Sequence, residues 1–218
     1  MVAALDKIKS VSFAVNDGSG VLLQAMIRDY SYVITAKHVI QINKNRPENG
    51  ILPLDKIVIH RPDDTHVIAR SVYLHSHLDL AIIKVDFIDL RIELDRSELE
   101  RNDSLILYGY PNYNANHRNN EISRQNWIET YDVNVLDYND EEIKTRVSED
   151  AQLSDIEGFS GGGIFRIKEG KPFLVGIEYA FEKSGQYVNR ILSIPITNIH
   201  KIVEDAGIAL VRPVFFGV

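Results

Sequence analysis

The stretch Glu157-Gly158-Phe159-Ser160-Gly161-Gly162-Gly163 is the most informative part of the sequence, because it places one serine among four glycines. Glycine adopts positive φ angles and allows close backbone approach, so the stretch predicts a sharp turn. A serine in such a turn can expose its hydroxyl while backbone N–H groups gather around it, which suits a nucleophile beside an oxyanion hole. A Gly-rich hairpin turn with an incidental serine explains the stretch equally well, so the rest of the chain has to decide.

The composition excludes several classes of protein. The 218 residues are 44% hydrophobic and 25% charged, with a net charge of −7 that argues against a general nucleic-acid-binding protein. The chain has no cysteine, which excludes disulfides, a thiolate nucleophile and cysteine-based zinc sites. No run approaches the ~18 apolar residues of a membrane span, and the N-terminus lacks the apolar core of a signal peptide. We therefore expect a cytoplasmic protein that binds neither membranes nor nucleic acid.

Short apolar runs alternate with turn signals along the chain and predict about a dozen β-strands. Only Thr197–Ala206 has the pattern of a helix, with Ile199, Ile202 and Val203 on one face. These patterns predict an all-β fold that ends in one helix. Residues 86–103 are charged and lack turn glycines, which marks them as the boundary between two halves.

A serine hydroxyl attacks a carbonyl near neutral pH only when a general base takes its proton, and histidine is the usual base. Of the seven histidines, His38 differs because it ends the apolar run through Thr35-Ala36 and is therefore anchored to the core. Asp79 is the acid most embedded in apolar sequence, and a buried carboxylate needs a hydrogen-bonded partner. Each residue also has a structural interpretation, His38 as an anchored core histidine and Asp79 as a cap at a strand start.

Three segments occur in order along the chain: Thr35-Ala36-Lys37-His38-Val39, Asp79-Leu80-Ala81-Ile82-Ile83-Lys84-Val85 and Gly158-Phe159-Ser160-Gly161-Gly162. Together they resemble the signatures of trypsin-like serine proteases of the chymotrypsin fold, which also follow the order His, Asp, Ser. The likeness is closest to the bacterial HtrA-type branch and covers roughly residues 8–206.

The resemblance implies two antiparallel six-stranded β-barrels with a C-terminal helix, together forming one protease domain. Residues 1–95 would form the barrel that carries the histidine and the aspartate. Residues 96–196 would form the barrel that carries the serine and the oxyanion hole. Residues 197–218 would form the closing helix and tail, and we expect no PDZ domain after the protease core.

The resemblance also implies a serine endopeptidase that cleaves protein or peptide substrates without a cofactor or a metal. His38 would act as the general base, Asp79 would orient it, and Ser160 would attack the peptide carbonyl. The backbone N–H groups of Gly158 and Ser160 would form the oxyanion hole.

The expected substrate contacts also follow from the resemblance. Ser154, six residues before the nucleophile, would form the floor of the pocket for the residue on the acyl side of the scissile bond, with Glu157 nearby. An uncharged floor predicts an uncharged side chain there, although the neighbouring acids leave a basic one open. Ile177, Glu178 and Tyr179 resemble the edge strand that pairs with the substrate backbone.

Two residues depart from the family pattern. Phe159 stands where trypsins carry an aspartate that pairs with a freed N-terminus, which argues against zymogen activation of that type. Gly163 stands where a proline is usual, which predicts a more flexible loop after the nucleophile. A site that is inactive at rest, with a regulatory or activating protein partner, would fit this flexibility.

Three alternatives remain. A protease fold with a silent site would be a binding or scaffold module. His75, His77 and Asp79 have a spacing that allows a metal site. The Gly158–Gly162 segment also matches the nucleophile elbow of α/β-hydrolases, but only His200 follows the serine, and the chain before it is rich in strands.

Overall fold

The computed structural model describes residues 1–25, 28–43, 46, 50–110, 129–147, 158–182 and 190–208. Within these ranges the chain forms fourteen β-strands and two α-helices. The first half contains α1 (Val2–Val11), β1 (Ser12–Val15), β2 (Gly18–Gln24), β3 (Tyr30–Thr35), β4 (Ile59–His60), β5 (His66–Val67), β6 (Ala69–Leu74) and β7 (Ala81–Asp86). The second half contains β8 (Glu93–Leu94), β9 (Ser104–Gly109), β10 (Glu129–Tyr138), β11 (Ile143–Val147), β12 (Gly163–Lys168), β13 (Lys171–Glu182), β14 (Arg190–Pro195) and α2 (Ile196–Asp205).

The strands form two sheets, one from each half of the chain. The first has the order β5-β4-β1-β2-β3-β7-β6, and every pairing in it is antiparallel. The second has the order β12-β9-β10-β11-β14-β13-β8, and β12 also pairs with β13, which closes six strands into a barrel. Only the short β8 pairs in parallel, at the edge of β13. The predicted all-β fold of two antiparallel barrels with a C-terminal helix is confirmed, although the nearly closed first sheet has seven segments rather than six.

Two hydrophobic clusters stabilise the two barrels. The larger one fills the first barrel and extends to Phe165, Ile177 and the buried face of α2. The smaller one fills the second barrel and contains Phe159, next to the serine. Because burying apolar surface is the main favourable term in folding, the residue beside Ser160 is fixed by the core of the second barrel.

The helix α1 is absent from the sequence-based prediction, in which only the C-terminal segment has a helical pattern. Ala4, Ile8 and Val11 are its buried residues, and their i, i+4, i+7 spacing is that of one helical face. The predicted C-terminal helix is present and begins at Ile196, one residue earlier than expected. In the described part of the chain, neither helix is long and apolar enough to cross a membrane.

Candidate active site

His38 and Asp79 come together because β3 and β7 are neighbouring antiparallel strands. Thr35 and Ala81 are paired at the ends of these strands, so the residues just beyond them face each other. A short 3-10 helix over Lys37–Ile40 carries His38. Its Nδ1 lies 2.5 Å from Oδ2 of Asp79, and its backbone amide donates to Oδ1 of Asp79 at 2.9 Å. The two residues that the sequence singled out are therefore in direct contact.

The charge state of Asp79 fixes the tautomer of His38. Burial alone would raise the pKa of Asp79, but the hydrogen bonds and charge of His38 outweigh it, and the pKa lies below its usual value. An ionised carboxylate only accepts hydrogen bonds, so Nδ1 of His38 must carry the proton. The other ring nitrogen, Nε2, then keeps its lone pair and can take a proton from a nucleophile.

Ser160 lies in a tight turn that joins the second barrel to the first. The amide of Gly162 donates to the carbonyl of Phe159 at 2.5 Å, which closes the turn around the serine. The amide of Gly161 donates to the carbonyl of Glu178 on β13 at 2.8 Å. From the first barrel, the amide of Ser19 donates to the carbonyl of Ser160 at 2.8 Å. Strands of both barrels thus hold the turn.

Close packing explains two of the glycines at this junction. Gly161 has a φ of 88°, and a Cβ there would lie 2.1 Å from the carbonyl oxygen of Ser19 and 2.3 Å from Oγ1 of Thr35. A Cβ on Gly18 would lie 2.7 Å from both the carbonyl oxygen of Ser160 and Cγ2 of Val39. The serine turn therefore packs against the end of β3, and Gly18 lies between the carbonyl of Ser160 and Val39, the residue that follows His38. The segments that carry the three sequence-predicted residues thus meet at one junction between the barrels.

The predicted oxyanion donors are available. Within the described residues, no acceptor binds the amide of Gly158 or of Ser160. Gly158 has a φ of 97°, a left-handed conformation that favours glycine. Its carbonyl is held by the hydroxyl of Ser19 at 2.8 Å, which fixes the peptide that follows.

The two departures from the family pattern have packing explanations. Phe159 is fully buried, and its ring makes an edge-to-face contact with Tyr131 at a centroid distance of 5.5 Å. Gly163 is buried in β12 and paired with strands on both sides. A Cβ on Gly163 would lie 2.4 Å from two carbons of the Phe165 ring, so tight packing accounts for the glycine without the flexibility that the sequence suggested.

The expected substrate-binding residues divide into two groups. Ser154 and Glu157 lie outside the described residues. Ile177 and Glu178 lie in β13, and both are already paired with β14 on one side. On the other side, Ile177 pairs with Gly163 and Glu178 bonds to Gly162. A β-bulge in the pairing with β14 follows Glu178. Among the described residues, the edge of β13 opposite β14 has no strand partner from Tyr179 onward, and the hydroxyl of Tyr179 hydrogen bonds to Glu142.

Ser19 and Thr35 contribute to the site but were missed as site residues. Ser19 bonds the serine turn through its amide and its hydroxyl, and Oγ1 of Thr35 donates to the carbonyl of Ser19 at 2.6 Å. The signal was present, since Ser19 stands between Gly18 and Gly20 and Thr35 three residues before His38. Only the fold, however, shows that the two join the serine turn to the first barrel.

The alternative metal site does not form. Nδ1 of His75 accepts the backbone amides of His77 and Leu78, at 3.2 and 2.8 Å, and Asp79 is engaged by His38. Across the described ranges, no group of three His, Asp or Glu residues could hold a metal ion.

A comparison with protein-family models matches residues 18–177 to the trypsin-like peptidase domain, which is more than half of the chain. The chain belongs to the trypsin-like peptidase family. The matched range contains His38, Asp79 and Ser160, together with the glycines that pack the barrels against each other. A comparison with curated proteins found no match.

Proposed function

We propose that the protein is a serine endopeptidase that hydrolyses peptide bonds of protein substrates through His38, Asp79 and Ser160. The observation that supports it most is the 2.5 Å contact between His38 Nδ1 and Asp79 Oδ2, at the junction where the Ser160 turn packs. A half-buried imidazole oriented by a carboxylate is the general base that a serine nucleophile requires.

The chemistry follows from these positions. Nε2 of His38 takes the proton of the Ser160 hydroxyl as its oxygen attacks the peptide carbonyl. Asp79 stabilises the imidazolium that results and stays ionised throughout. The imidazolium then protonates the leaving amine, and a water molecule, activated by the same nitrogen, hydrolyses the acyl-enzyme.

The amides of Gly158 and Ser160 stabilise the negative oxygen of the tetrahedral intermediate. Each donor of this kind typically lowers the barrier by roughly 3–4 kcal/mol. The hydrogen bonds from Ser19 hold the peptide groups adjacent to these amides before the substrate arrives, so little reorganisation accompanies the reaction.

Regulation and location belong to the proposal as well. We propose one protease domain of the HtrA-like type, in the cytoplasm, whose activity a protein partner controls. A chain without cysteine needs no oxidising compartment for its stability. Gly163 is paired with strands on both sides, which does not support a loose site at rest. Control by a partner would therefore have to act on the residues around the serine turn.

Labelling with a fluorophosphonate probe tests the proposal. The wild-type protein should react with one equivalent of the probe, and Ser160→Ala should not react. Ser12→Ala is the control for the loss of a serine hydroxyl, because Ser12 lies in β1, outside the serine turn, and its hydroxyl donates to the carbonyl of Ile8. The wild-type protein could instead fold but fail to react with the probe, both alone and with a candidate partner present. That result would support a silent binding module.

A further inference from the structure

Three buried polar side chains inside the second barrel have atoms without a hydrogen-bond partner. They are Oε2 of Glu178, Oγ of Ser193 and Oγ1 of Thr145. Glu178 is 2% exposed, and the other two are 0% exposed. Buried polar groups in folded proteins are nearly always hydrogen-bonded, and a buried carboxyl without a partner is costly. Three such atoms in one region therefore offer hydrogen-bonding groups to a polar group that enters from outside.

The pairing of the strands puts the three side chains on the same face of the sheet. Glu178 is directly opposite Ser193, and Ser193 is directly opposite Ile143. Directly paired residues of antiparallel strands share a face, and Thr145, two residues after Ile143, shares it too. A Cβ on Gly176 would lie 2.8 Å from Cδ1 of Ile143, which shows that this face is the interior of the barrel.

Glu178 is also the nearest neighbour of the serine turn on β13. Its carbonyl accepts the amide of Gly161 and its amide donates to the carbonyl of Gly162, both at 2.8 Å. These bonds hold its backbone about 5 Å, one strand spacing, from the residues that follow the nucleophile. A lysine or arginine side chain attached to a carbonyl at Ser160 is therefore long enough to span the distance to Glu178.

The described residues offer no cationic partner for this carboxyl. No lysine or arginine among them forms an ion pair with Glu178. The same part of the chain contains no three-residue metal-binding group. A carboxylate inside a barrel, beside a nucleophile, is suited to a cation that arrives from outside.

We propose that Glu178 is the specificity-determining residue for a cationic side chain, lysine or arginine, on the acyl side of the scissile bond. This inference rests on the proposed endopeptidase function and names its substrate class. The carboxylate of Glu178 accepts the N–H groups of the bound cation, and the hydroxyls of Ser193 and Thr145 accept those that remain. The residue that determines specificity is thus Glu178 in β13, whose side chain lies inside the barrel, and not Ser154.

The electrostatics of the free site agree with this role. Burial, followed by the negative charge of Asp79, raises the pKa of Glu178 to about 8. Before a cation binds, the carboxyl of Glu178 is therefore neutral at pH 7, which avoids an uncompensated buried charge. An incoming cation favours the ionised form, whereas an acidic side chain would meet both Glu178 and Asp79.

Binding of n-butylguanidinium, which has the charged end of an arginine side chain, tests the inference without requiring catalysis. Isothermal titration calorimetry on the Ser160→Ala protein should show one saturable site. Adding Glu178→Gln should weaken binding by roughly ten- to hundredfold, because a hydrogen-bonded charge is replaced by a neutral amide of the same shape. Adding Glu169→Gln instead, in the exposed β12–β13 turn, should leave the affinity unchanged.

Cleavage rates provide the second readout. In the protein that retains Ser160, kcat/KM for peptides with arginine on the acyl side of the scissile bond should exceed kcat/KM for matched peptides with leucine there. This ratio should fall by roughly tenfold or more in Glu178→Gln. Equal affinity for n-butylguanidinium with and without Glu178→Gln, or a preference for leucine, would overturn the inference. Fluorophosphonate labelling reports on the endopeptidase separately, so a labelled enzyme that prefers leucine leaves the proposed function intact.

Discussion

The hydroxyl of Ser19 donates to the carbonyl of Gly158 at 2.8 Å, a contact that spans 139 residues of sequence and joins the two barrels. The same oxygen accepts the amide of Tyr110 at 2.9 Å, so one hydroxyl connects β2, the end of β9 and the serine turn. The carbonyl of Gly158 belongs to the peptide that lies between the two amides of the proposed oxyanion hole, so a residue of the first barrel anchors this part of the turn.

Ser19→Ala should therefore lower kcat more than it changes KM. The substitution leaves the buried carbonyl of Gly158 and the amide of Tyr110 without this partner, and a small displacement of the turn can cost up to about a hundredfold in rate. Steady-state kinetics measure the two parameters. Ser12→Ala, an equally buried serine with a similar bond to a carbonyl, should change stability but not kcat. Equal kcat values for the two variants would limit Ser19 to a structural role.

Asp79→Asn should fold normally and lose roughly 10⁴-fold in kcat, because an amide no longer fixes the tautomer of His38. The side chain has nearly the same shape, and the amide oxygen can still accept the backbone N–H of His38, so thermal unfolding should change little. Asp86→Asn is a suitable control at the far end of β7, since Asp86 is exposed and pairs with Arg70. Wild-type kcat in Asp79→Asn would remove Asp79 from the mechanism.

The sequence predicted His38, Asp79 and Ser160 as site residues because each lies in a short segment whose pattern is local. The contacts that hold these segments together were not predictable in the same way. Ser19 and Gly158 are distant in sequence, and nothing near either residue indicates its partner. Only the fold, which depends on the pairing of all the strands, brings them together.

Glu178 shows a second limit of sequence patterns. In a strand with one buried face, alternation indicates which side chains point inward. In β13, however, five consecutive residues from Leu174 to Glu178 are buried, so alternation carries no information there. The sequence suggested that Glu178 contacts the substrate with its backbone. The structure shows its backbone paired on both sides and its side chain inside the barrel.

Phe159→Leu should lower the rate of fluorophosphonate labelling as well as the stability. The edge-to-face contact with Tyr131 is worth about 0.5–1.5 kcal/mol beyond burial, and its loss loosens the residue directly before the nucleophile. Phe13→Leu is the matched control, because Phe13 is equally buried but lies in the first barrel. Both variants should unfold at lower denaturant concentration than the wild type. Identical labelling rates would show that Phe159 only fills the core.

The stability of the protein should fall as the pH rises from about 5 to 8, and Glu178→Gln should remove much of this dependence. The pKa of Glu178 is about 8 in the folded protein and near its ordinary value of 4.5 in the unfolded chain. Between these values the folded state holds more protons than the unfolded state, so the free energy of unfolding decreases by up to about 1.4 kcal/mol per pH unit. Asp79, the charged neighbour, has a lowered pKa and stays ionised across this range.

Denaturant unfolding of the wild type, Glu178→Gln and Glu169→Gln at pH 5 and pH 8 measures this effect. Glu169→Gln should follow the wild type, because Glu169 is exposed. n-Butylguanidinium should flatten the wild-type dependence, since a bound cation favours the ionised carboxyl and releases its proton near neutral pH. Parallel pH profiles of the wild type and Glu178→Gln would mean that the buried carboxyl is ionised in the free protein and already has a partner.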